Sequence, residues 1–338
     1  VTDPFFQNFY RPLVSWLSDA LGSGILSEIL VGRLFEGEIV FMESMGALTT
    51  GVYVAFAAVL PYIISFYTVL ALLEDSGYLP RLSALVDGVF RRLGMSGQGI
   101  VPMFLGMGCN VPGALATRNM EKREHRFVAM TLLAVSVPCM AQTAMIFGIL
   151  GSYGMRYVFM VFAVLFLTFI STGFVLGRFS GDSSGGMLME IPSFRFPDIG
   201  SVLKKTYIRS KWFLREAVPY LVLGIAAVNV LYFVGFMDMI SSFFSPLVVE
   251  LFGLPAGAVP ALAVGFLRKD MAVGMLLGLG MSPEQLVVAV TVLTIYFPCA
   301  ATFATMYGEL GFRDLLKSVG VMTVLVLIVG SVLRLLLL

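Results

Sequence analysis

Charge is what this sequence has least of. Asp, Glu, Lys and Arg make up 13% of its 338 residues, about half the share with which a soluble domain coats its surface. That scarcity excludes an ordinary water-soluble exterior. Histidine is almost missing: His125 is the only one, in a charged stretch, which excludes His-rich metal sites and His-based catalytic triads. The three cysteines are too few for a disulfide framework. The dipeptide Gly-Lys does not occur, so no P-loop for ATP or GTP lies within the chain. A net charge of +1 offers no basic surplus, and no nucleic-acid partner is expected. These absences together predict that the chain is not an enzyme and binds no cofactor of its own.

What is present is hydrophobic length. Apolar residues reach 58% and the mean hydropathy is +0.93. Runs of about 20 apolar residues, the length that crosses a hydrocarbon core of about 30 Å, recur at Val52–Leu73, Met155–Leu176, Glu216–Phe236 and Ser318–Leu338. The expected class is an all-α polytopic membrane protein, integral to the cell (inner or plasma) membrane and in contact with the lipid bilayer.

Several apolar stretches are interrupted. Residues 97–117 carry Gly99, Pro102, Gly106, Gly108, Pro112 and Gly113, a density that no single regular helix sustains. Residues 255–280 read the same way. Irregular backbone at membrane depth is tolerated only where protein or a watery cavity covers it, so both read as broken or re-entrant segments.

The pattern occurs twice. Pro61-Tyr62, Gly77, Gly99 and Val101-Pro102 recur 158 positions later, and PCMAQTAMIFGILG (138–151) recurs 160 later as PCAATFATMYGELG (298–311), identical at seven of fourteen positions. A nearly constant offset over separate landmarks predicts an internal duplication. Residues 1–51 read as an amphipathic segment outside the cell, 52–178 as the first repeat, 179–215 as a basic cytoplasmic loop and 216–338 as the second repeat. Lys and Arg concentrate on the cytoplasmic side, which assigns the basic stretches 118–126 and 178–215 to the inside. With 97–117 re-entrant, each half has about three crossings, and an odd number inverts the second repeat. Inverted repeats with broken helices are a recurrent transporter design.

The candidate functional residues sit at the breaks. Cys109 lies in Gly106-Met-Gly-Cys-Asn-Val-Pro112, while Cys139 and Cys299 each follow a proline at equivalent repeat positions. Proline frees the carbonyl four residues upstream, and thiolates suit borderline transition metals. The plain alternative is that cysteine is a small buried hydrophobe. Lys269 and Asp270, beside Arg268, sit among apolar neighbours, where charge is costly and marks a pathway or a pair; a hydrated hairpin tip is the other reading. Glu74 and Asp75 read either as a pathway mouth or as an interfacial helix end. Asn110 and Gln142 could supply amide oxygens or satisfy freed backbone groups.

LLEDSGYLPR (72–81), RRLGMSGQGIVP (91–102), GMGCNVPGALATR (106–118), GFLRKDMAVG (265–274) and YFPCAATFATMYGELG (296–311) together resemble the membrane (gate) domain of the FeoB family of ferrous iron transporters. The resemblance runs over about residues 50–338. It implies Fe²⁺ as transported substrate, with Cys109 and Cys139 or Cys299 lining its path, and Glu74, Asp75, Lys269 and Asp270 accessory. It also implies GTP through an N-terminal GTPase domain, which these residues do not contain, so a further domain or a partner subunit would supply it; a homo-oligomer is possible. The sequence departs from the family around Cys139: Val135 and Gln142 stand where Pro and Arg are usual, and Asp270 replaces Glu. Two other functions stay open: a nucleoside or small-solute permease using Asn110 and Gln142, and a non-transporting assembly subunit.

Overall fold

A computed structural model describes residues 60–120, 122–179, 196–212, 214–215, 245–246, 248–266 and 269–338. The expected outer segment 1–51 and the span 216–236 lie outside the described residues, as do Arg268 and the side chain of Asp270. Every element among the described residues is helical, with no strand. The chain forms two compact units, residues 1–71 with 199–240 and residues 72–198 with 241–338.

In the first unit the described elements are the start of helix α1 (Leu60–Asp75) and a helix over residues 199–212. The latter falls in the stretch expected to be a polar loop. It buries Val202, Thr206 and Ser210 while Ile199, Leu203 and Tyr207 are exposed. A spacing of four residues keeps each set on one face, and the intervening lysines hid that periodicity in the sequence.

The second unit carries the remaining elements. Amphipathic α2 (Tyr78–Arg92) follows Gly77, whose positive φ of 76° turns the chain out of α1. The Gly/Pro-rich segment is broken as expected, into α3 (Ile100–Gly108) and α4 (Asn110–Ala116). Glycine lets them pack closely: a Cβ on Gly113 of α4 would stand 2.9 Å from the Pro102 carbonyl oxygen of α3, and one on Gly106 of α3 only 2.0 Å from Leu133 in the helix over Arg123–Ser136.

Next come α5 (Arg123–Ser136), α6 (Met140–Leu150) and α7 (Met155–Phe179). After the undescribed stretch the chain forms α8 (Ala258–Gly265), α9 (Lys269–Leu277), α10 (Pro283–Ile295) and α11 (Ala300–Leu337). Pro138 and Pro298 each stand at an interruption followed by a cysteine N-cap. The helix after Cys139 ends at Gly151, whereas α11 runs on through a kink at Gly311, φ 75°.

Among the described residues, three helical stretches are long and apolar enough to cross a membrane: Arg123–Leu150, Met155–Arg178 and Pro283–Leu337. Two of them contain a break. The protein is thus an integral membrane protein. α5 from Val128 to Ser136 and α10 from Leu286 to Ile295 are buried on all sides, as fits helices at the centre of a bundle. α7 is two-faced, with Val158, Val161, Leu165 and Thr172 buried and Phe159, Phe166 and Phe174 exposed. Such an apolar outer face is what a lipid-facing helix requires. Its inner seam is Gly173-x-x-x-Gly177: a Cβ on Gly94 would lie 2.3 Å from the Gly177 Cα. Only glycine permits two backbones to come that close.

Candidate functional site

The site begins with what proline removes. Pro298 has no N–H, so the carbonyl of Thr294, four residues earlier, loses its helical partner. Two side chains take it instead. Gln142 Nε2 donates to the Thr294 oxygen over 3.2 Å, and Lys269 Nζ donates to the same oxygen over 3.3 Å. Gln142 comes from the first turn of α6 and Lys269 from the start of α9, so three elements converge on one carbonyl.

Each cysteine occupies a helix N-cap. Cys109, in extended conformation (φ −153°, ψ 132°), separates α3 from α4. Cys139 opens α6 with a reciprocal cap, in which its sulfur meets the N–H of Gln142 while its own N–H donates to Gln142 Oε1 over 2.8 Å. Cys299 opens α11 with its Sγ 3.2 Å from Thr302 Oγ1. Ala300 N–H donates to the carbonyl of Phe266 at the end of α8 (3.1 Å), tying the α8–α9 interruption to the α10–α11 interruption. Phe266 meets Phe297 and Phe303 edge-on, at 6.4 and 6.0 Å between centroids.

The cysteines are all free and half-buried. Gln142 links the Cys139 cap to the Thr294 carbonyl, five residues before Cys299, Lys269 reaches the same carbonyl, and α4, which follows Cys109, packs against α11, which follows Cys299. The structure therefore brings Cys109, Cys139, Cys299, Gln142 and Lys269 into one region. Among the described residues, however, no three His, Cys, Asp or Glu side chains stand close enough to hold a metal ion together. Asn110, next to Cys109, is buried with its Oδ1 unpartnered. Glu74 and Asp75 stand apart from this region in the chain's order, half-buried at the end of α1 and engaged in interactions of their own.

Sequence reasoning missed an ionic clasp. Glu309, just before the α11 kink, is gripped by Arg118 and Arg126, the latter at 2.9 Å. Asp314, just after it, pairs with Arg123 at 2.8 Å and Lys317 at 3.0 Å, and Arg123 also donates to the Leu310 carbonyl. The basic stretch 118–126 read only as an orientation signal. Glu309 and Asp314, lone acids in an apolar run, were the available clue to its partners.

Cysteine-capped helix interruptions inside an apolar bundle define an α-helical membrane protein with broken helices. Comparison with known proteins narrows this. The Gate family model, described as nucleoside recognition, matches residues 56–153 and again 214–313, together more than half of the chain. A model for the ferrous iron transport protein B C terminus matches residues 158–209. The chain belongs to the Gate family, in the form found in FeoB proteins. It is 27% identical to the Fe(2+) transporter FeoB of Staphylococcus aureus (strain COL) over 88% of this chain and 49% of that protein. It is 26% identical to that of Methanocaldococcus jannaschii, over 97% and 53%, and 28% identical to that of Synechocystis sp., over 78% and 48%. The chain spans about half the length of the curated relatives it matches. No solved structure matches it.

Proposed function

We propose that this chain forms the membrane passage of a divalent transition-metal transporter, with Fe²⁺ as its substrate and Cys109, Cys139 and Cys299 as successive transient ligands. The observation that carries the reading is that each of the three cysteines caps a helix at an interruption, two of these interruptions being tied together through Gln142 and the Thr294 carbonyl. Sulfur suits a borderline cation such as Fe²⁺. A path whose ligands are spread out, rather than gathered into a closed cage, binds weakly enough to release. Relatives named Fe(2+) transporter support the choice of metal.

The architecture belonging to this reading is a multi-pass protein of the cell membrane with two inverted repeats, 52–178 and 216–338. Each has about three crossings and one re-entrant segment, 97–117 and 255–280. Two matches of one family model, offset by about the repeat length, support the duplication. Residues 1–51 lie outside and 179–215 inside. Transport, not catalysis, is the chain's own activity; any GTP hydrolysis belongs to a GTPase domain or subunit beyond these residues.

The test is Fe²⁺ uptake into proteoliposomes under reducing, anaerobic conditions. Cys109→Ser, Cys139→Ser and Cys299→Ser should each lose most of the uptake; full uptake in all three ends the thiolate path. A second reading, a nucleoside or small-solute permease, is favoured by the absence of a three-ligand group among the described residues and by the family's description. It predicts metal-independent nucleoside uptake that Asn110→Leu removes.

A further inference from the structure

Lys269 is unusual among the charged residues of this chain. It is buried, only 6% exposed, and among the described residues no carboxylate pairs with it. Its ammonium donates to the Thr294 carbonyl, 3.3 Å from Nζ, between the two Pro-Cys interruptions that this carbonyl and Gln142 join. A buried ammonium without a carboxylate is costly in any protein and more so at membrane depth. A methionine of similar length would fill the same space without that cost.

The atoms around the ammonium are those a metal cation would choose. A carbonyl oxygen with two lone pairs stands stripped of its helical partner by Pro298; Cys299 follows that proline directly, and Cys139 is joined to the same oxygen through Gln142. The other group on that oxygen, Gln142 Nε2 at 3.2 Å, is also a donor, and its Oε1 is held by the Cys139 N–H. Among the described residues both groups on the Thr294 oxygen are side-chain donors, and of the two Lys269 is the one not also held in a helix cap.

We infer that Lys269 is a tethered cation filling a metal position formed by the Thr294 carbonyl oxygen and the sulfurs of Cys139 and Cys299, so that an arriving Fe²⁺ must displace the ammonium. The inference rests on the metal-transport reading above and adds two things to it: a backbone ligand and a competitor built into the chain. The empty position keeps a positive charge among its donors and so does not collapse. An ion that enters meets a returning ammonium that helps to expel it. Tight binding stops conduction, and a resident competitor holds the affinity down.

The test is equilibrium dialysis of the full chain in detergent against Fe²⁺ kept reduced under anaerobic conditions, with folding followed by size-exclusion chromatography. Lys269→Met and Lys269→Gln should bind Fe²⁺ about tenfold more tightly than the native protein, a change of about 1.4 kcal/mol. Lys269→Arg, which keeps the charge, should bind no more tightly than native. Folded neutral variants that bind like native, or more weakly, overturn the inference. So does failure of the neutral variants to fold, whether or not Lys269→Arg folds, because the ammonium is then a strut between α9 and α10. The paired control Cys139→Ser/Cys299→Ser separates the two ideas: native-like binding and uptake in that variant removes the metal-transport reading itself. Loss there with unchanged Lys269→Met affinity removes only the tethered cation.

Discussion

The two Pro-Cys interruptions share their letters and differ in how they are closed. At the first, the third residue of the following helix is Gln142, long enough to reach back to the Cys139 N–H and onward to the Thr294 carbonyl. At the second, the equivalent residue is Thr302, whose hydroxyl reaches only the Cys299 sulfur. The first interruption is thus held by a side chain that also grips the second. The second is held from outside, by Lys269 and by the Phe266 carbonyl. Downstream they diverge again: Glu309 follows the second, clasped by two arginines, while the residue 160 positions earlier is the buried apolar Ile149. One duplicated element has become a fixed side and an adjustable side.

Five changes should break or sharpen that contrast. Pro298→Ala has the largest effect. It returns the N–H that Thr294 lacks, and a rejoined α10–α11 helix, favoured by up to about 3 kcal/mol, expels Gln142 and Lys269 and abolishes Fe²⁺ uptake in proteoliposomes. Uptake at the native rate would show the interruption to be dispensable. Gln142→Leu leaves the half-buried Cys139 N–H without its acceptor and should cost about 1–2 kcal/mol, read as a lower unfolding midpoint in detergent. Thr302→Val should cost no more than about 1 kcal/mol, and equal losses at the two positions would erase the asymmetry.

Glu309→Gln unpairs Arg118 and Arg126 together. Because Glu309 is nearly buried but Arg118 is half exposed, the loss should be about 2 kcal/mol, below that of a fully buried pair. Asp314→Asn is the smallest change, within about 1 kcal/mol, since Arg123 and Lys317 are both largely exposed. Its effect should fade at high salt; a salt-independent loss would mean that Asp314 acts otherwise.

Much of this was legible beforehand, and the reasons differ by residue. The interruptions at Cys109, Cys139 and Cys299 could be placed because proline and glycine act on their own backbone and need no partner. The helix over residues 199–212 could not be placed, since Lys204, Lys205 and Lys211 made an interfacial pattern look like a solvated loop. Pairings across the chain were also hidden. Gln142 and Thr294 are 152 residues apart, and Arg118 and Glu309 191 apart; neither letter carries the address of the other. The close approach of Gly177 to Gly94 is likewise known only from the packing.

The glycines also decide where this protein can be watched. Gly94 and Gly177 touch through their backbones, so no label fits there. Gly148 and Gly308, by contrast, have nothing within 4 Å of a prospective side chain and sit at matching places on α6 and α11, ten residues after Pro138 and Pro298. They form a ready pair of reporter positions, one on each limb. Non-thiol spectroscopic probes there would leave all three native cysteines untouched while recording the separation of the limbs with and without metal.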